Sequence, residues 1–339
     1  MSQSFSRVCF GEALYPLMLY LVTSSEEEIQ STAFILDDRI PLNIQKRIPN
    51  AINENRSSFF YKNKWLMSGY GIYLRSRKFR FLQHAELFGL DFKWYLLRGS
   101  QINYIEDCPN IFNLWESSKL FKNYLKRNSY NSFKDKIVKM LFGPYYGYPV
   151  ATSNQIKAVI STSSIDKEYL NGKPIKIVNL EKEWNDSSKS KKNLILNVFD
   201  ISPRDLDVLK SKKIILLTQA FYDDKMVTQE EQVEIYRKIL LNYNHKDVII
   251  KPHPRDHINY SKLFPDILLF DKVVPMQFLS IIGIQFETVV TVSSSAVLSF
   301  GDNVKIDWYG NHVHPGILRV EGERTLESAL SIYNSQRRG

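Results

Sequence analysis

The chain has 339 residues, of which 44% are apolar and 24% charged, with a formal net charge of +9. That length accommodates two domains with ordinary cores, and the composition is that of a soluble globular protein. Two cysteines, Cys9 and Cys108, exclude a disulfide framework and suit a reducing cytoplasm.

The chain opens with a β-α-β pattern. Arg7–Phe10 reads as a strand, Ala13–Ser24 as a helix rich in Leu and Tyr, and Thr32–Leu36 as a second strand ending at Asp37-Asp38. The apolar run within that helix contains Pro16 and covers roughly half of a membrane span. Neither a basic leader nor a small-residue cleavage site surrounds it, so no signal peptide or membrane span is expected and the chain is read as cytoplasmic. Residues 42–58 are polar and read as helix and loop, and Lys78–Gln83 alternates like a half-exposed strand. Trp94–Leu97 and Gln101–Ile105 read as further short strands, the second running into Glu106-Asp107-Cys108-Pro109.

Residues 114–142 are amphipathic and basic, with Trp115, Phe121, Leu125 and Val138 interleaved with Lys119, Lys122, Lys126 and Lys136. They read as surface helices with lysine outer faces, or as a patch that rests on anionic lipid headgroups. No nucleic-acid-binding module accompanies the charge, so no nucleic-acid partner is expected. The polar segment Asn185–Asn193 reads as a linker, dividing an N-terminal domain at 1–187 from a C-terminal domain at 188–339.

Beyond it, strands are expected at Leu194–Phe199, Ile214–Leu217, Val248–Ile250, Ile267–Phe270, Thr288–Val292 and Val304–Asp307. Helical patterns separate most of them, near 203–212, 229–243, 276–283 and 295–300. Alternating β and α elements predict an α/β fold with a doubly wound parallel sheet, and two such Rossmann-like domains facing a cleft.

Carboxyl ends of parallel strands share one sheet edge, where open α/β sheets bind ligands. The second domain brings Thr218-Gln219, His253 and Ser293-Ser294-Ser295 to that edge. His253 is wedged between Pro252 and Pro254, which hold it in a stiff extended turn. Serines opening a helix favour an anion, so the set reads as a phosphate pocket with a titratable donor. Glu106 and Asp107 are candidates for a general base, and Glu230 and Glu231, in the first turn of the helix near 229–243, are rivals for that role. No His/Cys cluster has metal-ligand spacing; His312-Val313-His314 reads as a loop, and no metal site is expected. Neither G-x-G-x-x-G nor a Walker A sequence occurs, which argues against hydride transfer and P-loop hydrolysis.

The ordered set of an acidic pair, His-Pro and a serine run resembles the bacterial sialyltransferases, most closely glycosyltransferase family 52, which includes lipooligosaccharide and capsule sialyltransferases. Tyr104-Ile105-Glu106-Asp107-Cys108, Ile214–Gln219, Ile250–Arg255 and Ser293-Ser294-Ser295 carry the resemblance. It implies a GT-B fold and an inverting, cofactor-free, metal-independent transfer from CMP-sialic acid to a galactose-type hydroxyl of a surface glycan. It also implies that His253 meets the CMP phosphate, that Ser294 and Ser295 bind the same phosphate, and that Glu106 or Asp107 is the base. Two positions depart from the pattern. Cys108 stands where the motif has glycine, and Pro275-Met276-Gln277 offers a glutamine where related enzymes often use Pro-x-Glu to hold the ribose. The alternatives are a GT-B enzyme with another nucleotide-sugar donor, or a non-catalytic glycan- or lipid-binding relative. The partners implied are a donor nucleotide sugar, a glycan acceptor and the inner face of the cytoplasmic membrane.

Overall fold

The structure is a computed structural model and describes residues 5–54, 79–90, 101–109, 111–116, 150–152, 156–165, 167–170, 172–301 and 303–334. The chain divides into two compact units, the first ending at Val198 and the second beginning at Phe199.

The first unit is built on a parallel sheet of seven strands among the described residues: β1 (Arg7–Gly11), β2 (Thr32–Asp37), β3 (Ala51–Glu54), β4 (Glu86–Gly89), β5 (Ile102–Ile105), β6 (Ile156–Ser161) and β7 (Ile175–Ile177), in the order β3-β2-β1-β4-β5-β6-β7. β1, β2 and β5 are almost wholly buried, as expected of central strands covered on both faces. The helix Leu14–Thr23 is buried from Tyr15 to Val22 and packs on β1 and β4, with Tyr20 edge-on to Phe34. Gly89 closes β4 at φ +133°, where a Cβ would lie 2.7 Å from the Phe10 carbonyl oxygen; only glycine lets β4 leave β1 in this way.

The second unit carries a parallel sheet of five strands: β8 (Ile214–Leu217), β9 (Val248–Lys251), β10 (Leu268–Leu269), β11 (Thr288–Thr291) and β12 (Lys305–Trp308), in the order β10-β9-β8-β11-β12. The helix Gln229–Leu240 begins with a capping box between Thr228 and Glu231. Its Val233, Tyr236, Ile239 and Leu240 pack on Leu216, Val248, Ile250 and Val290.

Several expected elements differ. Leu194–Phe199 is not a strand: Lys189–Val198 is a helix whose buried residues Lys191, Ile195 and Val198 fall on one face. Ser188 caps it, accepting from the Lys191 N–H at 3.0 Å. The polar segment expected as a linker is therefore mostly helical, since Leu180–Asp186 precedes this helix and belongs to the same unit. The division falls after Val198 rather than between residues 187 and 188. Arg80–Leu82 is a 3-10 turn rather than a strand, and β3, β4, β6 and β7 were not expected. Trp94–Leu97 and the basic residues of 117–142 lie outside the described residues. Among the described residues no helix is long and apolar enough to cross a membrane.

Candidate active site

Strand order in the second sheet reverses between β8 and β11, the position at which doubly wound sheets open a crevice. Gln219, just past β8, and Ser293, just past β11, brace each other across it. The Ser293 N–H donates to Gln219 Oε1 at 2.9 Å, and Gln219 Nε2 donates to Ser293 Oγ at 3.2 Å. Ser293 is fully buried, so its hydroxyl is a structural tie between strand ends.

His253 follows β9 and is half-buried. Its main-chain N–H donates to Thr218 Oγ1 at 3.1 Å, and its Nδ1 accepts from the Arg255 N–H at 3.1 Å. With Nδ1 occupied as an acceptor, the neutral ring carries its proton on Nε2. Burial lowers the imidazole pKa and the charge of Arg255 lowers it further; Asp224 opposes this, and Lys251 adds a smaller lowering effect. The ring is thus a neutral Nε2–H donor at neutral pH. Arg255 is ion-paired to Asp224, and Pro254 is exposed at the turn.

Ser294 caps the 3-10 helix Ser295–Phe300: its Oγ accepts from the Ala296 N–H at 3.3 Å, and its own N–H donates to Thr291 Oγ1 at 3.0 Å. Ser295 is exposed, and its hydroxyl has no partner among the described residues. Gln277 lies half-buried in the first turn of the helix Met276–Ile281, which follows β10. Glu230 is exposed and lines an open groove of about 500 Å³ with Tyr222, Lys225 and Thr228. None of the contacts joining Thr218, Gln219, His253 and Ser293 reaches Glu230. Glu231 is committed to the helix cap, accepting from the Thr228 N–H at 2.7 Å.

Sequence reasoning missed the residues beneath this edge. Asp256 is buried and its Oδ2 accepts from the Thr218 hydroxyl at 2.5 Å, the Tyr260 hydroxyl at 2.8 Å and Gln232 Nε2 at 3.2 Å. Gln232, also buried, donates to the Gln219 carbonyl at 2.8 Å, and the Tyr236 hydroxyl accepts from the Gln219 N–H at 2.7 Å. A glutamine on the apolar face of the Gln229–Leu240 helix was the signal available.

In the first unit, Glu106 follows β5 and is fully buried. Its Oε1 accepts from the Tyr15 hydroxyl at 2.7 Å and the Thr162 N–H at 3.0 Å, and its Oε2 accepts from the Ser161 hydroxyl at 2.6 Å. Burial raises its pKa, and these hydrogen bonds oppose that rise. Asp107, one residue on, has no hydrogen-bond partner among the described residues. Burial raises its pKa, while Arg39 pulls it down. Arg39 is held by Glu12 at 2.5 Å and Asp37 at 3.0 Å. Burial, followed by the charges of Asp107 and Glu106, pushes the Cys108 thiol up to about 12. The acidic pair and the His253 cluster belong to different units.

Two parallel α/β units with polar side chains at the carboxyl ends of their strands are the architecture of the GT-B class. The chain belongs to glycosyltransferase family 52, whose profile matches residues 53–316, and it is a glycosyltransferase. It is 26% identical over 313 residues to an uncharacterized protein of Haemophilus influenzae, covering 92% of this chain and 96% of that one. In fold it is similar to the α/β-galactoside α-2,3-sialyltransferase of Photobacterium phosphoreum, at TM-score 0.54 and 14% identity over 97% of this chain and 96% of that chain. It is also similar to the 2,6-sialyltransferase of Photobacterium sp. JT-ISH-224, solved with CMP and lactose, at TM-score 0.55 and 13% identity over 89% of this chain and 70% of that chain.

Proposed function

We propose that this glycosyltransferase is an inverting, metal-independent sialyltransferase that moves sialic acid from CMP-sialic acid to a galactose-type hydroxyl of a surface glycan, in lipooligosaccharide or capsule. The observation that carries the proposal is the His253 ring, fixed as an Nε2–H donor at the same sheet edge that carries the serine run. The CMP and lactose bound by the Photobacterium 2,6-sialyltransferase support the donor and acceptor classes.

As the glycosidic bond to the phosphate breaks, negative charge grows on the departing CMP. His253 Nε2–H donates to that phosphate oxygen, and the hydroxyls of Ser294 and Ser295 stabilise the same charge. Asp107 accepts the proton of the acceptor hydroxyl as its oxygen bonds to the sialyl anomeric carbon. Glu106, saturated by four donors from Tyr15, Ser161 and Thr162, anchors the loop that presents Asp107. Thr218, Gln219 and Ser293 hold the phosphate-binding strand ends, Pro254 stiffens the histidine turn, and the Gln277 amide bonds to the ribose hydroxyls. For acceptors on lipid carriers, the enzyme works at the inner face of the cytoplasmic membrane.

Gln277 favours a second reading, in which the fold serves another nucleotide-sugar donor. Thermal stabilisation by CMP, set against UDP and GDP, separates the two: preferential stabilisation by CMP is expected, and preference for UDP or GDP overturns the donor assignment.

A further inference from the structure

Three strand ends form the phosphate-facing edge of the second unit, and a single buried carboxylate lies under two of them. The Thr218 hydroxyl has one proton, and it is directed to Asp256 Oδ2 at 2.5 Å. Its oxygen is thereby oriented to accept the His253 N–H at 3.1 Å. The Asp256 N–H in turn donates to the His253 carbonyl at 2.9 Å, closing the turn that contains Pro254 and Arg255. Gln232 extends the network to the third strand end, because it donates both to Asp256 and to the carbonyl of Gln219, whose side chain holds Ser293.

Asp256 has no ion-pair partner among the described residues, and its carboxylate is engaged by Thr218, Tyr260, Gln232 and the Ile258 N–H. Burying a carboxylate without a cation is costly, and this cost is offset only while all those donors keep their geometry. The arrangement therefore fixes the direction of each donor rather than simply filling space.

We infer that Asp256 is a positioning residue which, through the Thr218 hydroxyl and Gln232, sets the His253 ring and the Gln219–Ser293 tie as one rigid leaving-group site. It touches neither donor nor acceptor. The inference rests on the assignment of His253 to the departing phosphate.

The test compares Asp256→Asn, Thr218→Val and Thr218→Ser in the full chain. With CMP-sialic acid as donor, Asp256→Asn and Thr218→Val should each lower kcat about 10- to 100-fold, as for small misplacements of a reacting group, with less change in KM. The Asp256→Asn/Thr218→Val double variant should be little worse than either alone, because residues of one network do not act additively. Thr218→Ser keeps the hydroxyl and should recover most of the loss.

A second readout needs no substrate. The ring nitrogen-15 shifts of His253 should report the Nε2–H tautomer in the wild type and mixed tautomers in Asp256→Asn and Thr218→Val. Unchanged ring shifts in both variants, or additive losses in the double variant, would overturn the inference. If the wild type does not turn over CMP-sialic acid, the donor assignment falls, and the ring shifts still decide the role of Asp256. If Asp256→Asn does not fold, Thr218→Val against Thr218→Ser decides the same question.

Discussion

The main-chain N–H of His253 donates to the hydroxyl of Thr218 at 3.1 Å, tying the residues that follow β9 to those that follow β8. The first unit has a parallel arrangement. The Glu106 carboxylate after β5 is tied to Ser161, the last residue of β6, and to Thr162 just past it. In each unit a buried carboxylate gathers hydroxyl donors, and a more accessible candidate side chain lies close by in sequence: Asp107 next to Glu106, and His253 three residues before Asp256.

This division of labour predicts opposite outcomes for neighbouring substitutions. Glu106→Gln turns an amide N–H₂ toward groups that already donate, costing on the order of 1–3 kcal/mol of stability. Asp107→Asn should leave the melting temperature near that of the wild type and lower kcat by about 100-fold or more, the scale of a lost general base. Denaturation curves and initial rates on the purified variants check both. Full activity in Asp107→Asn with loss in Glu230→Gln would move the base to Glu230.

His253 should titrate below the ordinary histidine value of 6.5 in the ligand-free protein, because burial and the charges of Arg255 and Lys251 disfavour the imidazolium. A depressed folded-state pKa adds stability that is complete above 6.5 and is lost as pH falls through the folded value. Bound CMP phosphate should raise the midpoint. A nuclear magnetic resonance titration of the ring protons, with and without CMP, gives both values.

Lys251 ends β9 as a buried lysine, and burial brings its pKa down from 10.5 to about 8. The unfolded chain holds that proton more tightly, so stability rises with pH between those values and is lost as pH falls through about 8. At pH 7 the charge costs up to ~3 kcal/mol. Lys251→Met removes this slope, and urea unfolding of both proteins at pH 7.5 and 10 measures the difference.

Gly89→Ala should destabilise the first unit strongly. Its φ of +133° costs any other residue about 1–3 kcal/mol, and the added methyl meets the Phe10 carbonyl oxygen at 2.7 Å. Thermal melts report the loss.

β1, β2, β8, β9 and β11 were legible in the sequence because each is a short apolar run covered on both faces. The placement of His253 and the serine run just past strand ends was legible because prolines and helix-opening serines are local signals. Leu194–Phe199 misled because its apolar cluster suits a strand as well as a buried helical face, and only the spacing of Lys191, Ile195 and Val198 separates the two. Nothing local distinguishes Glu106 from Asp107. The donors that bury Glu106 come from Tyr15, 91 residues away, and Ser161, 55 residues away. Asp256 is inconspicuous in the sequence for the same reason, since its significance depends on Thr218, 38 residues earlier.

The most direct measurement is incubation of the purified protein with CMP-sialic acid and a panel of galactosides, read by mass spectrometry, with His253→Ala alongside. The expected result is a sialylated galactoside formed by the wild type and a loss of about 100-fold or more in the folded variant. Absence of sialyl transfer across the panel, or equal product from His253→Ala, would contradict the assignment.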